Sequence, residues 1–283
     1  MTITPRYRIL ALDVDGTLLD REGHLRPSTA RAVADAARAG IRPVLCTGRR
    51  YRRARPIADE LGLDAPLVCN SGALVKRPGD HATLWRADLD PDVAREVFEV
   101  FRLRDEPPLS FTDRSPDDSD FLISMAPTGR PLYDDYLSRN SANAEVSPGW
   151  DRDHAAHPHY HVCVIGTQES MLDTERAIHA RVPGRVRTFV QRSPRYAGTM
   201  CEVIRHDASK WSALLHLAEL WGVLPSEICA VGDDLNDEPM IRGAGLGVAM
   251  GHAPESVRAV ADLVTGDHDE DGVAQLIHNY LLA

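Results

Sequence analysis

Two aspartates, Asp13 and Asp15, stand at the end of the apolar run LALDVDGTLLD (residues 10–20), followed at once by the turn-like pair Gly16-Thr17. Like charges repel, and burying either one costs free energy unless something compensates. Three more groups of chemically capable residues occupy comparable places. Thr47-Gly48-Arg49 follow the apolar run IRPVLC, Lys210 heads the helix-like KWSALLHLAELWG, and Asp233, Asp234, Asn236 and Asp237 follow EICAVG. Closely spaced acids call for a counter-charge, and a hard cation with oxygen ligands is the natural one. Mg²⁺ takes few carboxylates, keeps waters and often bridges to a phosphate. Asp13, the backbone carbonyl of Asp15 and the Asp233 carboxylate could supply its protein ligands. Thr47, the amide of Gly48 and the ammonium of Lys210 are donors suited to phosphate oxygens. A carboxylate beside the cation can attack phosphorus and form an aspartyl-phosphate. Asp15, two residues on, could then protonate the leaving oxygen and later deprotonate the attacking water. The Gly16-Thr17 turn lets the two carboxylates take different positions, one held ionised and the other protonatable.

The elements that must position these residues follow from the pattern of apolar runs. In the first third, YRILALDV, IRPVLCT and APLVCNSGALV read as strands. Between them lie the helical segments STARAVADAARAG, with Ser28 as cap and Gly40 as stop, and YRRARPIADELG, which Pro56 starts or kinks. The last third keeps up the alternation. It runs from helix KWSALLHLAELWG through strand EICAVGDD, short helix NDEPMIRGA, strand LGVAM, helix APESVRAVA and strand DLVT to the closing helix DGVAQLIHNYLL. This order predicts an α/β domain on a parallel sheet, with ligands beyond the carboxyl ends of its strands. The middle is richer in His, Pro, Asp and Ser, and its helices PDVAREVFEVF and ESMLDTERAIHARV flank the strand HYHVCVIG. It predicts an α+β insert over 85–192 between two halves of one domain, 1–84 and 193–283.

The 283 residues carry a formal net charge of -10, with 43% hydrophobic and 26% charged residues, the profile of a globular protein. An acidic surface argues against non-specific nucleic-acid binding and against an anionic membrane surface. No run of 18 apolar residues is present, and the first residues hold no signal-peptide core. Cys46, Cys69, Cys163, Cys201 and Cys229 form no CxxC pair and sit mostly in strand-like runs, which reads as reduced core cysteines of a cytoplasmic protein.

DVDGT (13–17), TGR (47–49), NSGA (70–73), SK (209–210) and GDDLNDEPMI (232–241) occur in that order, followed by GVAMGHAPESVRAVAD and DGVAQLI. On these residues the chain resembles the haloacid dehalogenase-like (HAD) hydrolases, and among them the Cof-type phosphatases with a large C2-type cap. The resemblance covers the two outer segments by motif and the insert by position and length. It implies a Rossmann-like parallel-sheet core, Asp13 as nucleophile, Asp15 as acid/base, and Mg²⁺ on Asp13, the Asp15 backbone and Asp233. It implies that Thr47, Gly48 and Lys210 hold the phosphoryl group and that Asn236 and Asp237 support them or touch phosphate. Arg49 is placed toward the substrate or the cap, and Asn70 in a turn beside the site. Trp211 stands where the family usually has Gly after the lysine. The function implied is Mg²⁺-dependent hydrolysis of a small phosphate monoester, such as a sugar phosphate. A phosphomutase, a mannosyl-glycerate-type phosphatase and a non-catalytic phosphate-binding module are the alternatives on this scaffold.

Other suggestive residues have plainer readings. Asp234 and Glu238 read as surface or capping residues. His154, His157, His159 and His161 raise a transition-metal site, yet equally suit a polar sheet face. The acidic run GDHDEDG reads as a solvated turn before the last helix, and Trp85, Phe98 and Phe101 as core of the insert.

Overall fold

The computed structural model describes residues 5–114, 118–152, 157–192 and 196–283. It divides into two compact units, Met1–Trp85 with Ser209–Ala283, and Arg86–Ala208. The chain opens with β1 (Ile9–Leu12), α1 (Pro27–Arg38), β2 (Arg42–Leu45), α2 (Tyr51–Glu60), β3 (Leu67–Cys69), β4 (Leu74–Lys76) and β5 (Thr83–Arg86). Every residue of β1 is buried, so its run is continuously apolar, as a strand covered on both faces must be. α1 buries Thr29, Ala32, Val33 and Ala36 at helical spacing and is followed by Gly40 at φ 90°. Its cap differs from expectation. Pro27 takes the first helical position, Arg26 is the N-cap residue, and Ser28 instead donates its hydroxyl to Asp271 at 2.5 Å. Pro56 lies inside α2.

The second unit contains α3 (Pro91–Leu103), β6 (Leu109–Phe111), β7 (Phe121–Ile123), α4 (Pro131–Asn140), β8 (Ala144–Val146), β9 (His161–Gly166), α5 (Gln168–Arg181), β10 (Val186–Arg192) and β11 (Thr199–Arg205). Its sheet runs β10-β11-β9-β6-β7-β8 and is antiparallel except between β7 and β8. Its core joins Val97 and Phe101 of α3 and Ile178 of α5 to Val162 and Val164 of β9. The apolar pattern alone ends this insert at 192, but β11 pairs with both β9 and β10, so residues up to Ala208 belong to the second unit. A strand is assigned by its partners, and these are distant in sequence.

The first unit resumes with α6 (Lys210–Leu220), β12 (Ile228–Gly232), α7 (Glu238–Gly243), β13 (Leu246–Ala249), α8 (Glu255–Arg258), β14 (Leu263–Val264) and α9 (Gly272–Leu276). Its main sheet, β14-β13-β12-β1-β2, is parallel throughout. β3 touches β2 through the single bridge Cys46–Val68 and then turns back antiparallel onto β4. The register sets up the site: Leu12 lies opposite both Val231 and Leu45. The residues that follow these strands, Asp13, Asp233 and Cys46-Thr47, therefore leave the sheet at one edge.

Candidate active site

The centre of this edge is a buried charge cluster. Lys210, the first residue of α6, donates to Asp13 Oδ1 at 2.6 Å and to Asp237 Oδ1 at 2.5 Å, and all three residues are buried. The capping box Ser209/Ser212 fixes the start of α6. The other oxygen of Asp237 accepts the backbone amides of Asp233 and Asp234, each at 3.1 Å. Asp237 thus has both oxygens committed to the protein and acts as the strut between Lys210 and the loop after β12. Asp233 is held by the Thr17 hydroxyl, which donates to its Oδ1 at 3.0 Å.

Asp15 is arranged differently. Its side chain is 59% exposed and accepts a two-pronged pair from Arg49, Nε to Oδ2 at 2.7 Å and Nη2 to Oδ1 at 2.5 Å. Arg49, expected toward the substrate or the cap, here grips Asp15. The Thr47 hydroxyl accepts the Arg49 amide at 3.0 Å. The turn at Asn70–Gly72 docks on this loop through two backbone bonds, Asn70 N–H to the Arg49 carbonyl at 3.0 Å and Ser71 N–H to the Thr47 carbonyl at 3.1 Å. Gly48 has no side chain, and a Cβ there would stand 3.4 Å from Ser71 Oγ and 3.7 Å from Asn236 Nδ2. Both groups therefore flank the exposed Gly48 backbone. Asn236 Oδ1 is buried without a hydrogen-bond partner, an arrangement that calls for a ligand or water. Asp234 is exposed and bonds its neighbour Leu235, while Glu238 pairs with Arg242.

The electrostatics are unbalanced. Burial, then the charge of Asp237, pushes Asp233 up to about 6. Burial, then Asp237, also raises Asp13 well above the usual carboxylate range despite Lys210. Burial acts to lower Lys210, but the charges of Asp13 and Asp237 overcome it and hold the ammonium firmly protonated. One ammonium faces three carboxylates whose oxygens lie within 4.8 Å of one another. The two uncompensated negative charges match a divalent cation, and an all-oxygen donor set matches a hard one. Asp13 and Asp233 are the candidates to hold it, since both oxygens of Asp237 are already engaged by the protein.

Every core residue expected from the sequence lies in the first unit, and Asp13, Lys210, Asp233 and Asp237 meet directly. Thr17 and Ser71 also belong to the site, although the sequence does not single them out. Thr17 closes DVDGT, and Ser71 sits inside NSGA, so both carry a signal in the motifs themselves. Trp211 fits over Gly243, where a Cβ would come within 2.4 Å of its ring. In the second unit, His159 and His161 are buried and separately engaged: Ser110 lies 3.0 Å from His159 and Glu202 lies 2.9 Å from His161. His157 is exposed, and His154 lies outside the described residues.

The sequence pattern of the haloacid dehalogenase-like hydrolases matches residues 10–277. The pyridoxal phosphate phosphatase YbhA of Escherichia coli is 30% identical over 97% of this chain and 99% of its own length. The putative phosphatase YxeH of Bacillus subtilis is 29% identical, covering 98% of this chain and 99% of its own. Among solved structures, a haloacid dehalogenase-like hydrolase from Bacteroides thetaiotaomicron superposes with a TM-score of 0.76 at 25% identity, over 96% of this chain and 99% of that one. No helix among the described residues is long and apolar enough to cross a membrane.

Proposed function

The chain belongs to the haloacid dehalogenase-like hydrolases and is a phosphatase of small phosphorylated substrates; we propose that it is a Mg²⁺-dependent monoester hydrolase working through an aspartyl-phosphate. The observation that carries this reading is the buried Asp13 carboxylate, tied by one oxygen to Lys210 at a sheet edge that is two negative charges in excess. Asp13 attacks phosphorus, the bond to the ester oxygen breaks, and Asp15 gives that oxygen its proton. A water returns a proton to Asp15 as it attacks the aspartyl-phosphate, releasing inorganic phosphate and restoring Asp13. Lys210, through its hold on Asp13, orients the nucleophile and favours its ionised form against the burial that opposes it. The Thr47 hydroxyl, the Gly48 amide, and the side chains of Asn236 and Ser71 are suited to the phosphoryl oxygens. Arg49 orients Asp15 and must release one of its two oxygens for the proton transfer, and Asn70 supports the loop that carries Thr47 and Gly48. Asp13, Asp233 and the Asp15 carbonyl would hold Mg²⁺, which would supply charge neutralisation for the phosphoryl oxygens.

We place the substrate among sugar phosphates and similar metabolites, with specificity residues in the second unit, and the protein in the cytoplasm, where its buried free cysteines stay reduced. The test is hydrolysis of an aryl phosphate, a set of sugar phosphates and pyridoxal 5′-phosphate, with Mg²⁺ and with chelator. Activity that survives chelation or Asp13→Asn contradicts the mechanism. Preferential turnover of pyridoxal 5′-phosphate contradicts the sugar-phosphate assignment and leaves the chemistry intact.

A further inference from the structure

We propose that His252, Asp267 and His268 form a second metal site, selective for a borderline divalent ion of the Zn²⁺ class, distinct from the carboxylate site of Asp13 and Asp233. The three residues lie in the loops that follow the neighbouring parallel strands β13 and β14. Two backbone bonds zip these loops together, Thr265 N–H to the Ala249 carbonyl at 3.0 Å and Gly251 N–H to the Gly266 carbonyl at 3.2 Å. Asp267 is fixed further, since its Oδ1 accepts the Asp269 amide at 3.1 Å. The scaffold is therefore set before any ion arrives.

The ligating atoms form a nearly equilateral triangle. His252 Nδ1 and His268 Nδ1 are 3.2 Å apart, His268 Nδ1 and Asp267 Oδ1 are 3.1 Å apart, and His252 Nδ1 and Asp267 Oδ1 are 3.5 Å apart. Ligands about 2.0–2.1 Å from a tetrahedral Zn²⁺ stand ~3.3 Å from one another, so this triangle has the dimensions of one face of that tetrahedron. A simple hydrogen bond between the rings does not describe the contact. His268 Nδ1 is equally close to both nitrogens of His252, at 3.2 and 3.1 Å, and so faces the ring edge between them. A turn of His252 about its soft terminal torsion aims the Nδ1 lone pair at the point shared with His268 and Asp267.

The donor set decides the ion. Two imidazoles and one carboxylate suit Zn²⁺ and its neighbours, whereas Mg²⁺ and Ca²⁺ prefer oxygen alone. Each histidine also has a carboxylate beside its second nitrogen: Asp233 Oδ2 lies 3.6 Å from His252 Nε2, and Asp269 Oδ1 lies 3.6 Å from His268 Nε2. Such carboxylates orient metal-bound histidines. The side chains of His252 and Asp267 are 26% and 28% exposed, so an ion can enter from solvent and a fourth position is open to water. GDHDEDG, a solvated turn by sequence alone, supplies two of the three ligands once His252 faces it.

The site does not depend on the phosphatase reading, and its test separates the two. The full chain, with Mg²⁺ in excess, is titrated with Zn²⁺ by calorimetry and with Co²⁺ by visible absorption. One Zn²⁺ per chain and the ligand-field bands of four-coordinate Co²⁺ are expected. Both persist in Asp13→Asn. Replacing the two exposed-loop ligands together, His252→Asn with His268→Asn, removes the Co²⁺ bands and weakens Zn²⁺ at least ~100-fold in a chain whose circular dichroism is unchanged. No Zn²⁺ uptake, uptake unaffected by the histidine pair, or uptake lost in Asp13→Asn overturns the proposal.

Discussion

Lys210 stands between two carboxylates that repel each other, so deleting it does more than remove two hydrogen bonds. Lys210→Met leaves Asp13, Asp233 and Asp237 with no cation among them, and a buried pair broken on one side costs about 3–5 kcal/mol. The midpoint of urea unfolding in chelator is expected to fall accordingly, and Mg²⁺ is expected to restore part of the loss. Asp13→Asn does the reverse: it relieves repulsion, so the variant should fold at least as stably and yet lose activity by more than ~10⁴-fold, since it removes the proposed nucleophile. The same imbalance predicts a pH effect. Asp233 titrates near 6 in the folded protein, above the unfolded carboxylate value, so the native state binds more protons between those two values. Stability therefore falls as pH rises through that window and levels off above it. Mg²⁺ at the proposed site would favour the ionised carboxylate and is expected to remove the fall. Melting temperatures at about pH 4.5 and 7, each in chelator and in Mg²⁺, test this. A gap between the two curves that does not widen with pH contradicts it.

The charge cluster exists only because α6 delivers Lys210 to the sheet edge, and the approach is close. Gly72 has φ 96°, and a Cβ on it would lie 2.0 Å from the Ser209 carbonyl oxygen, one residue before Lys210. Gly72→Ala must push that helix end away, combining overpacking with left-handed strain on the order of 3 kcal/mol, and should weaken activity with it. Gly62→Ala is the control. Its φ is also positive, but nothing lies within 4 Å, so only the strain of about 1–2 kcal/mol is expected. Equal destabilisation of the two variants, read from urea midpoints, would show that the contact with Ser209 does not matter. Positions such as Gly72 mark the limit of what the sequence reveals. β1, β2 and β12 are legible because continuous apolar runs ending in polar residues describe buried strands and their rim. The cap of α1 is not, because Pro27 takes the first helical position and the Ser28 hydroxyl bonds Asp271 from across the fold instead of capping. β11 falls to the wrong unit by sequence because its pairing with β9 and β10 is decided by sheet register and not by its own residues. His252 and His268 are unreadable as a pair for the same reason, since sixteen residues separate them and only the register of β13 and β14 brings them together.

Across the whole chain the basic residues are sharply divided. Of 32 lysines and arginines only Lys76 and Lys210 are lysines, and both are buried, at 2% and 1% exposure. Arginine takes the exposed ion pairs, such as Arg102–Glu99, Arg139–Asp135 and Arg242–Glu238, where a planar fork can grip a carboxylate with two bonds. Lysine is kept where a compact point charge is needed. Lys210 reaches two carboxylates from a fully buried position, where a larger guanidinium has to displace close-packed neighbours, and the Lys76 ammonium lies 5.3 Å from the centre of the Tyr51 ring. Lys210→Arg, which preserves charge, is therefore expected to lose activity at least ~10²-fold. The same division predicts how the intact molecule reacts with an amine-acetylating reagent. Apart from its α-amine, the native chain offers no accessible primary amine, so peptide mass spectrometry should find Lys76 and Lys210 unmodified after native treatment and both acetylated after treatment in guanidinium. Native labelling of Lys210 as fast as in denaturant would mean that the cluster opens to solvent, and the buried triad of Asp13, Lys210 and Asp237 would not be the resting state of the site.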